Sequence, residues 1–431
     1  MNLNLNTSNF FSFFLKKKIF KNVLSLGFMQ VANSVIPLLV IPFVVRALGT
    51  EEFGQASFAQ NIIAYFTLLV NFGFEYSATQ DIALNVNDKG KVQSIFWTVI
   101  KSKFLLLLIS FVLFSGLLFY NTEMQNHLWL YISAFLMNVG VVLYPSWFYQ
   151  GIEDTSRMAV VSVLVRLVGA VLTVLLVTLP SDCQLYVLLW SLSYVGVGLF
   201  TFLMAVSKYK LSYTGNISYD SIKKGFPIFL NNLFSNIYAL GGLTIIGMYL
   251  SDHEIGIYAG ANKIIAALCM LLSMPISLSL FPSLSRSFAT SLTNGWKRLK
   301  ECFFYIVVLG LLMTVVIFAF APLIVEIVLG GDFEESIGIL RALSCIPFLV
   351  VVATMFTIQG LYGMQMQKYA PIVGAFVSIT SIICYFLLIS KYGVYGAVIG
   401  YVISELLEIL IVYSLLRFRL SKLDHKNKNL F

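Results

Sequence analysis

The stretch "EIGIYAGANKIIA" (residues 254–266) repeats, with changes, the earlier stretch "EFGQASFAQNIIA" (residues 52–64). Six of the thirteen positions are identical, including a Glu at the first position and a Gly at the third. The repeat is not symmetric in charge, because Lys263 stands where the first copy has Asn61. A stretch that recurs at a distance indicates a duplicated structural unit. The sequence therefore predicts a protein built from two related halves.

Long apolar runs surround both copies of the repeat. The chain of 431 residues is 59% hydrophobic and 11% charged, against about 25% charged residues in soluble domains. Apolar runs of about 18 or more residues are long enough to cross a bilayer as helices. The chain is therefore predicted to be an all-α polytopic membrane protein with twelve spans. The predicted spans are 22–47, 54–80, 100–120, 127–149, 158–179, 184–207, 226–250, 255–285, 302–329, 336–362, 369–390 and 394–416.

Basic residues predict the orientation of these spans. With the N-terminus in the cytoplasm, most Lys and Arg fall in loops on one side, for example Lys101 and Lys103 after span 2. The exceptions are Arg46, Arg341 and Lys391 on the outer side, and Arg166 and Lys263 within spans. Cytoplasmic loops carry an excess of Lys and Arg. Both ends of the chain are therefore predicted to be cytoplasmic, and the net charge of +8 reflects topology rather than a nucleic-acid partner.

Cysteine and histidine residues are spaced too irregularly to predict a metal site. The five cysteines show no paired spacing, and the three histidines lie far apart in loops or the tail. Metal sites and disulfide frameworks both have characteristic spacings. The sequence thus predicts no metal, no cofactor and no disulfide framework. The loops between the predicted spans are also short, which disfavours enzymes that need a separate catalytic domain.

Six predicted spans separate the two copies of the repeat. Because six is even, both copies run in the same direction, and the halves are related by an axis along the membrane normal. The sequence predicts two six-helix lobes, residues 1–215 and 216–431. Helix breakers interrupt the first span of each lobe, namely Asn33, Pro37 and Pro42 in span 1 and Pro227, Asn231, Asn232 and Asn236 in span 7. Matching interruptions point to a central site, and ordinary kinked packing is the alternative.

Two basic residues, Lys263 and Arg166, lie deep within predicted spans. A charge near the middle of a bilayer costs about 2.5–3.5 kcal/mol on insertion scales. Lys263 lies about 12 Å below the outer end of its helix, too deep to reach the surface, so we expect it to line a cavity. Arg166 lies about 12 Å above the inner end of its helix and is a second cavity candidate. The alternatives for Arg166 are that it reaches the surface or pairs with Glu153 or Asp154.

Acidic and amide side chains within the spans have two interpretations each. Glu405 and Glu408 are three residues apart and therefore lie on one helix face. They are either structural partners of the buried cations or groups with a functional charge, and Glu326, nearer the outer end of span 9, is a third candidate. Amides within spans either bond neighbouring helices or line a polar path. These amides are Asn33, Asn61, Asn231, Asn232, Asn236 and Asn262.

Several motifs resemble, in order along nearly the whole chain, those of a known membrane protein family. They include "VIPFVVRALGTEEFGQASFAQ" (40–60), "YPSWFYQGIEDTSRM" (144–158), "VLGGDFEESIGILRAL" (328–343) and "GVYGAVIGYVISELL" (393–407). The chain is similar to the polysaccharide transporter family, within the multidrug/oligosaccharidyl-lipid/polysaccharide exporter superfamily. Its length and twelve predicted spans suit the O-antigen flippases of Gram-negative bacteria.

The resemblance implies a two-lobed fold around a central cavity that opens alternately to each side. The implied activity is translocation of an undecaprenyl-pyrophosphate-linked oligosaccharide, the O-antigen repeat unit, from the cytoplasmic to the periplasmic leaflet of the bacterial inner membrane. Membrane lipids, a polysaccharide polymerase and a chain-length regulator are the implied partners. Lys263 and Arg166 would then meet the phosphates, and the amides would line the path of the sugars. Glu405, Glu408 or Glu326 would couple the movement to protons or sodium.

Other functions are weighed against this one. A cation-coupled multidrug antiporter of the same superfamily would favour buried carboxylates over cations, and Lys263 argues against it. A lipid II flippase would be expected to have more than twelve spans. A membrane-embedded polysaccharide polymerase or ligase usually needs a large periplasmic loop, which the predicted loops lack. The chain also departs from the family pattern at Gln80, where relatives often have a basic residue, so no cation is expected there.

Overall fold

The computed structural model describes residues 17–215 and 219–428, and every regular element within them is helical. Within these two ranges, ten helices are long and apolar enough to cross a membrane, judged by length and composition. These ten correspond to predicted spans 3 to 12. Predicted span 1 and the greater part of predicted span 2 lie on one longer helix with a break in it, Lys17–Asn71. The prediction of an all-α membrane protein is confirmed.

The helices follow one another with short connections. The first eight are α1 (Lys17–Asn71), α2 (Phe74–Leu84), α3 (Lys89–Tyr120), α4 (Thr122–Asn126), α5 (Leu128–Phe135), α6 (Met137–Leu143), α7 (Ser146–Gly151) and α8 (Thr155–Leu176). The next four are α9 (Cys183–Tyr209), α10 (Tyr219–Tyr249), α11 (Asp252–Thr290) and α12 (Leu292–Val328). The last are α13 (Ser336–Leu343), α14 (Ile346–Thr354), a π-helix (Met355–Tyr362), α15 (Ala370–Tyr392) and α16 (Val394–Lys428).

A break at Gly49 divides α1 into the first two predicted spans. Gly49 has φ 72° and ψ −176°, a conformation that only glycine adopts readily. The sequence predicts a loop between residues 47 and 54, and the structure reduces that loop to this single non-helical residue. The residues after Gly49, beginning at Thr50, therefore start a new helical direction within α1.

Predicted span 2 (54–80) is wrong in its continuity, because the helix ends at Asn71. Phe72 and Gly73 have φ angles of 45° and 74°, and a residue in the left-handed region stops an α-helix. The chain resumes as α2. A Cβ atom at Gly73 would collide with the backbone oxygen of Gly225 and the side chain of Ile228 at the start of α10. A non-glycine residue at position 73 would therefore disturb this packing.

Two other predicted spans are also interrupted. Span 4 (127–149) is divided among α5, α6 and α7, and Pro145 before α7 lacks the N–H that would continue α6. Span 10 (336–362) is divided among α13, α14 and the π-helix. Helix interruptions at membrane depth leave backbone groups that other residues must satisfy.

The described chain divides into two compact units. Unit 1 contains the residues up to Val40, Ile63–Thr178 and Asp182–Phe229, and unit 2 contains Ile41–Ile62, Leu179–Ser181 and the residues from Leu230 onward. The predicted lobe boundary at residue 215 stays a prediction. Residues 41–62 of α1 thus pack with the C-terminal helices, which include the second copy of the repeat.

Each unit has its own aromatic core. In unit 1 the buried ring of Phe96 contacts Trp147 and Phe148, with ring centroids 5.5 and 5.2 Å apart. In unit 2 the ring of Phe356, on the π-helix, lies 5.5 Å from that of Tyr413 on α16. Edge-to-face and tilted aromatic pairs of this kind stabilise a core beyond the area that they bury.

Candidate functional site

The two copies of the repeat contact each other within unit 2. A Cβ atom at Gly54 would collide with the backbone oxygen of Asp252, and one at Gly256 would collide with the backbone oxygen of Thr50. Gly54 and Gly256 match in the repeat, and Thr50 and Asp252 each lie two residues before its two copies. The contact is therefore reciprocal, as it is at a twofold axis. It lies on the side predicted to face the periplasm.

Polar side chains reinforce this contact. The Gln55 amide donates a hydrogen bond to the Asp252 carboxylate at 2.9 Å, and the Thr50 hydroxyl lies 2.8 Å from Nδ1 of His253. Residue 251 positions the start of α11 through a capping box, in which the Ser251 and Glu254 side chains each bond the other's backbone N–H. We call residues 50–61 of α1 together with residues 252–263 of α11 the outer contact.

Lys263 lies at the inner end of the outer contact. Its Nζ donates a hydrogen bond to Oε1 of Gln60 at 3.2 Å and lies 4.5 Å from the ring centroid of Phe53. The side chain is half-buried. Among the residues that the structure describes, no carboxylate lies within ion-pair distance of Nζ. The positive charge therefore has a neutral amide and an aromatic face as its neighbours, and both leave it able to bind an anion.

Two amides beside Lys263 have different environments. Asn61, its match in the repeat, is buried and donates hydrogen bonds to Thr244 Oγ1 at 2.7 Å and to the backbone oxygen of Leu240 at 3.3 Å. Gln60 Nε2 is buried and has no hydrogen-bond partner among the described residues. The geometry of Asn61 is that of an interhelical hydrogen bond, and its role in binding sugars stays a prediction.

Lys103 is a buried cation that sequence reasoning missed. It is predicted above as one of the cytoplasmic basic residues after span 2, but it lies inside α3 with 1% of its surface exposed. Its Nζ donates hydrogen bonds to Oδ1 of Asn71 and to the backbone oxygen of Val141, each at 3.2 Å. Both acceptors lie at helix interruptions of unit 1. Pro145, four residues after Val141, is a sequence signal that could have located this site, because a proline leaves the carbonyl four residues earlier without its helical partner.

Arg166 lies in unit 1 against aromatic side chains. Its guanidinium carbon is 4.7 Å from the ring centroid of Tyr194, and its Nε is buried without a hydrogen-bond partner among the described residues. The predicted alternative partner Asp154 is instead bonded by Lys208 and Tyr209. The cation–π contact holds Arg166 in place without neutralising its charge. Its role as a cavity cation stays a prediction.

Asp154 lies outside the spans at the end predicted to be cytoplasmic. Burial alone raises the pKa of the Asp154 carboxyl, but the hydrogen bonds from Lys208 and Tyr209 and the nearby positive charges outweigh burial and lower this pKa below its usual value. Asp154 and Tyr209 also line a cavity of about 490 Å³, together with Lys89, Gln93 and an apolar floor. The Asp154 carboxylate therefore stays charged at neutral pH.

The three carboxylates predicted to couple movement to ions lie in different surroundings. Glu408 accepts hydrogen bonds from Thr357 at 2.9 Å and from the Tyr238 hydroxyl at 3.3 Å. Glu405, one turn earlier on α16, is 3% exposed. Glu326 is exposed near the end of α12. Glu408 therefore links three elements of unit 2, namely α10, the π-helix and α16, and a coupling role for any of the three stays a prediction.

The remaining predicted amides lie on two helices. Asn231 and Asn232 are half-buried on α10, where the backbone oxygen of Asn232 accepts a hydrogen bond from Asn236 at 2.8 Å. Asn262 is half-buried on α11, next to Lys263. The side chain of Asn33 lies outside the described part of the structure. Among the described residues no cluster of His, Cys, Asp and Glu is arranged to hold a metal ion.

Two family models match the chain. The model described as "Polysaccharide biosynthesis protein" matches residues 19–288, and the model described as "Lipid II flippase MurJ" matches residues 243–430. The two matches overlap in α10 and α11, the region that contains Lys263.

Solved structures of transporters share the fold. An inward-facing multidrug resistance MATE family transporter of the MOP superfamily superposes with a TM-score of 0.69 at 15% identity, covering 94% of this chain and 99% of that one. Lipid II flippase MurJ, in an inward closed conformation, superposes with a TM-score of 0.72 at 15% identity, covering 91% and 87%. At this level of identity the likeness shows the fold alone.

Curated relatives match over almost their full length. A "Putative O-antigen transporter" of Escherichia coli (strain K12) is 27% identical over 401 residues, which are 91% of this chain and 95% of the relative. A protein of the same description from Shigella dysenteriae is 24% identical over 396 residues, 90% and 98% of the two chains. The resemblance found in the sequence motifs is confirmed. Because the first family model covers more than half of the residues, the chain belongs to the polysaccharide biosynthesis protein family.

Proposed function

We propose that this protein is a flippase that moves a lipid-linked oligosaccharide across a membrane. The substrate class is an undecaprenyl-pyrophosphate-linked O-antigen repeat unit, carried from the cytoplasmic to the periplasmic leaflet of the bacterial inner membrane by alternating access. Family membership and the names of the curated relatives support this proposal. The likeness of the fold to a lipid flippase is consistent with it.

The observation that carries the proposal is that the positive charge of Lys263 lies within the membrane without a described carboxylate beside it. Lys263 lies within a membrane-spanning helix, contacts Gln60 and Phe53, and has no described carboxylate within ion-pair distance. The headgroup of the substrate is an anionic pyrophosphate with polar sugars, while its lipid tail can stay in the bilayer. A cation at this depth lowers the cost of moving that anion through low dielectric, because Coulomb attraction is far stronger there than in water.

The proposed step leaves the substrate covalently unchanged, so it requires no cofactor and the protein is not an enzyme. Both ends of the chain lie in the cytoplasm in this proposal. A polysaccharide polymerase and a chain-length regulator would act on the oligosaccharide after it reaches the outer leaflet. Arg166 is proposed as a second cation, which would meet the pyrophosphate at another stage of the passage.

Reconstitution into liposomes tests the proposed function. The probe is a polyprenyl pyrophosphate that carries a fluorescent disaccharide, placed in both leaflets, and a membrane-impermeant glycosidase reports the outer fraction. We expect the protein to make the inner pool accessible, whereas protein-free liposomes keep it protected. Protection that persists with the folded protein would contradict the proposal. Energy-dependent efflux of a cationic dye, without movement of the lipid probe, would indicate a multidrug antiporter instead.

A further inference from the structure

We infer that Gln60 is a positioning residue that holds Lys263 across the closed outer contact, and that a phosphoryl anion binding Lys263 releases this contact. The inference rests on the proposed function, because it assigns the anion to the substrate headgroup. It assigns a role to Gln60, a residue that is not needed for Lys263 to bind the headgroup. It also links binding at Lys263 to the opening of the side predicted to face the periplasm.

Lys263 connects two helices, α11 and α1. Lys263 belongs to α11, but its hydrogen bond to Gln60 and its contact with the ring of Phe53 both reach α1. Gly54 and Gly256 bring the same two helices into backbone contact about 10 Å further out, seven residues along α11 at 1.5 Å per residue. The outer contact is therefore held at both ends. The glycines pack the two helices together at its outer end, and the hydrogen bond from Lys263 to Gln60 joins them at its inner end.

The hydrogen bond from Lys263 to Gln60 is weaker than the bond from Lys263 to a phosphoryl anion that would replace it. The ammonium of Lys263 now donates to a neutral amide oxygen, whereas a phosphoryl oxygen carries a negative charge. Coulomb attraction between opposite charges therefore adds to the hydrogen bond when an anion replaces Gln60. The other amide atom of Gln60, Nε2, is buried without a described partner, so the closed contact already contains one unsatisfied donor. An anion that reaches Lys263 should therefore displace Gln60 from the ammonium.

The steric half of the contact depends on glycine. A methyl group at position 54 or 256 would overlap with a backbone oxygen of the opposite helix, and a backbone oxygen cannot move aside as a side chain can. An alanine at either position therefore prevents closure without touching Lys263. Gly116 on α3 is a matched control, because a Cβ atom there has no neighbour within 4 Å.

Disulfide cross-linking measures the closed contact directly. In a variant without the five native cysteines, Gln55→Cys and Asp252→Cys replace the pair that is hydrogen-bonded at 2.9 Å. The purified protein is oxidised in nanodiscs that contain no lipid-linked substrate. We expect rapid cross-linking in this parent and in Gly116→Ala. Adding Gly54→Ala or Gln60→Ala should slow cross-linking by about tenfold, since a hydrogen bond to a charged group is removed in Gln60→Ala.

Farnesyl pyrophosphate is the probe for release by an anion. It should slow cross-linking of the parent, whereas farnesol, which lacks the anion, should not. In Lys263→Met the rate should be low from the start and should not respond to either compound. Gln60→Glu should cross-link at least as fast as the parent and resist the probe, because a carboxylate holds Lys263 more tightly. A misfolded Gln60→Glu protein would instead cross-link more slowly than the parent.

The outcomes separate this inference from the proposed function. Parent-like cross-linking in Gln60→Ala, or slow cross-linking in Gln60→Glu, overturns the role of Gln60 even if the protein moves lipid-linked sugars in liposomes. Cross-linking of the parent that does not change with farnesyl pyrophosphate overturns release by the anion. Failure of the liposome assay, with both cross-linking results as expected, would reject the flippase and leave Gln60 as a tie released by another phosphoryl ligand.

Discussion

Lys103 donates a hydrogen bond to the backbone oxygen of Val141, an oxygen that α6 itself cannot satisfy because Pro145 has no N–H. The same ammonium bonds Oδ1 of Asn71, the last residue of α1. Lys103 therefore connects the interruptions of two helices. A buried polar atom that loses its partner costs about 1–3 kcal/mol, so the consequences of removing this ammonium are measurable.

Replacement of Lys103 by methionine tests this role. Methionine fills similar space but donates no hydrogen bond, so both oxygens lose their partner. We expect the thermal midpoint of the purified Lys103→Met protein to fall by about 2–6 °C. Lys101→Met is the matched control, because Lys101 bonds the backbone oxygen of Thr214 beside the exposed ring of Tyr213. Equal midpoints for the two variants would show that Lys103 supports neither helix interruption.

The Asp154 cluster predicts a pH dependence of stability at the end of unit 1 that is predicted to face the cytoplasm. Because the folded protein holds the pKa of Asp154 below its usual value, the carboxylate contributes stability above the unfolded pKa of about 3.9, and this contribution is lost as the pH falls through the folded value. Asp154→Asn should lower the thermal midpoint by about 1–2 °C at pH 7, since the ion pair with Lys208 is partly exposed.

Measurement of the two thermal midpoints at several pH values separates the effect of the Asp154 charge from that of its shape. The midpoint difference between the parent and Asp154→Asn should shrink as the pH falls below about 3.9, the pKa of the unfolded carboxyl, and should disappear below the lower pKa of the folded carboxyl. A difference that stayed constant from pH 7 to pH 3 would mean that Asp154 acts through its shape and not through its charge.

Glu408 is the carboxylate best placed to couple movement to an ion, since it alone of the three candidates has described bonds to two other elements, through Thr357 and Tyr238. A glutamine there can still bond both hydroxyls but cannot carry a charge or bind a proton. We expect Glu408→Gln to keep a normal thermal midpoint and to lose the acceleration of lipid movement that a proton or sodium gradient produces in liposomes. Glu334→Gln, at an exposed position, is the control. Unchanged acceleration in Glu408→Gln would assign the carboxylate a structural role.

The sequence predicted the parts of the fold that depend on local composition. The span of Lys263 and its pairing with Asn61 followed from hydropathy and from the repeat. The repeat also matched Gly54 with Gly256, but the reciprocal contact between them depends on the backbone approach of two helices about 200 residues apart, which a single sequence does not encode locally.

Helix interruptions and long-range partners explain what was missed. Lys103 lies at the start of predicted span 3 and was therefore counted with the cytoplasmic basic residues, while its real partners come from α1 and α6. The stop at Phe72 was missed because a non-glycine residue there adopts φ 45°. The partner of Asp154 was likewise undetermined, because Lys208 is distant in sequence.

The central claim is that the charge of Lys263 carries the anionic headgroup across the membrane. The most direct measurement is the rate of lipid-linked sugar movement in liposomes for Lys263→Ala and Lys263→Arg, with Lys391→Ala as a control that removes an exposed positive charge. Loss of more than about 1.4 kcal/mol of headgroup stabilisation would slow movement by at least about tenfold.

We predict that Lys263→Ala inserts normally and moves no lipid-linked sugar above the protein-free rate, that Lys263→Arg retains part of the activity, and that Lys391→Ala matches the parent. Movement at the parental rate by Lys263→Ala would contradict the claim.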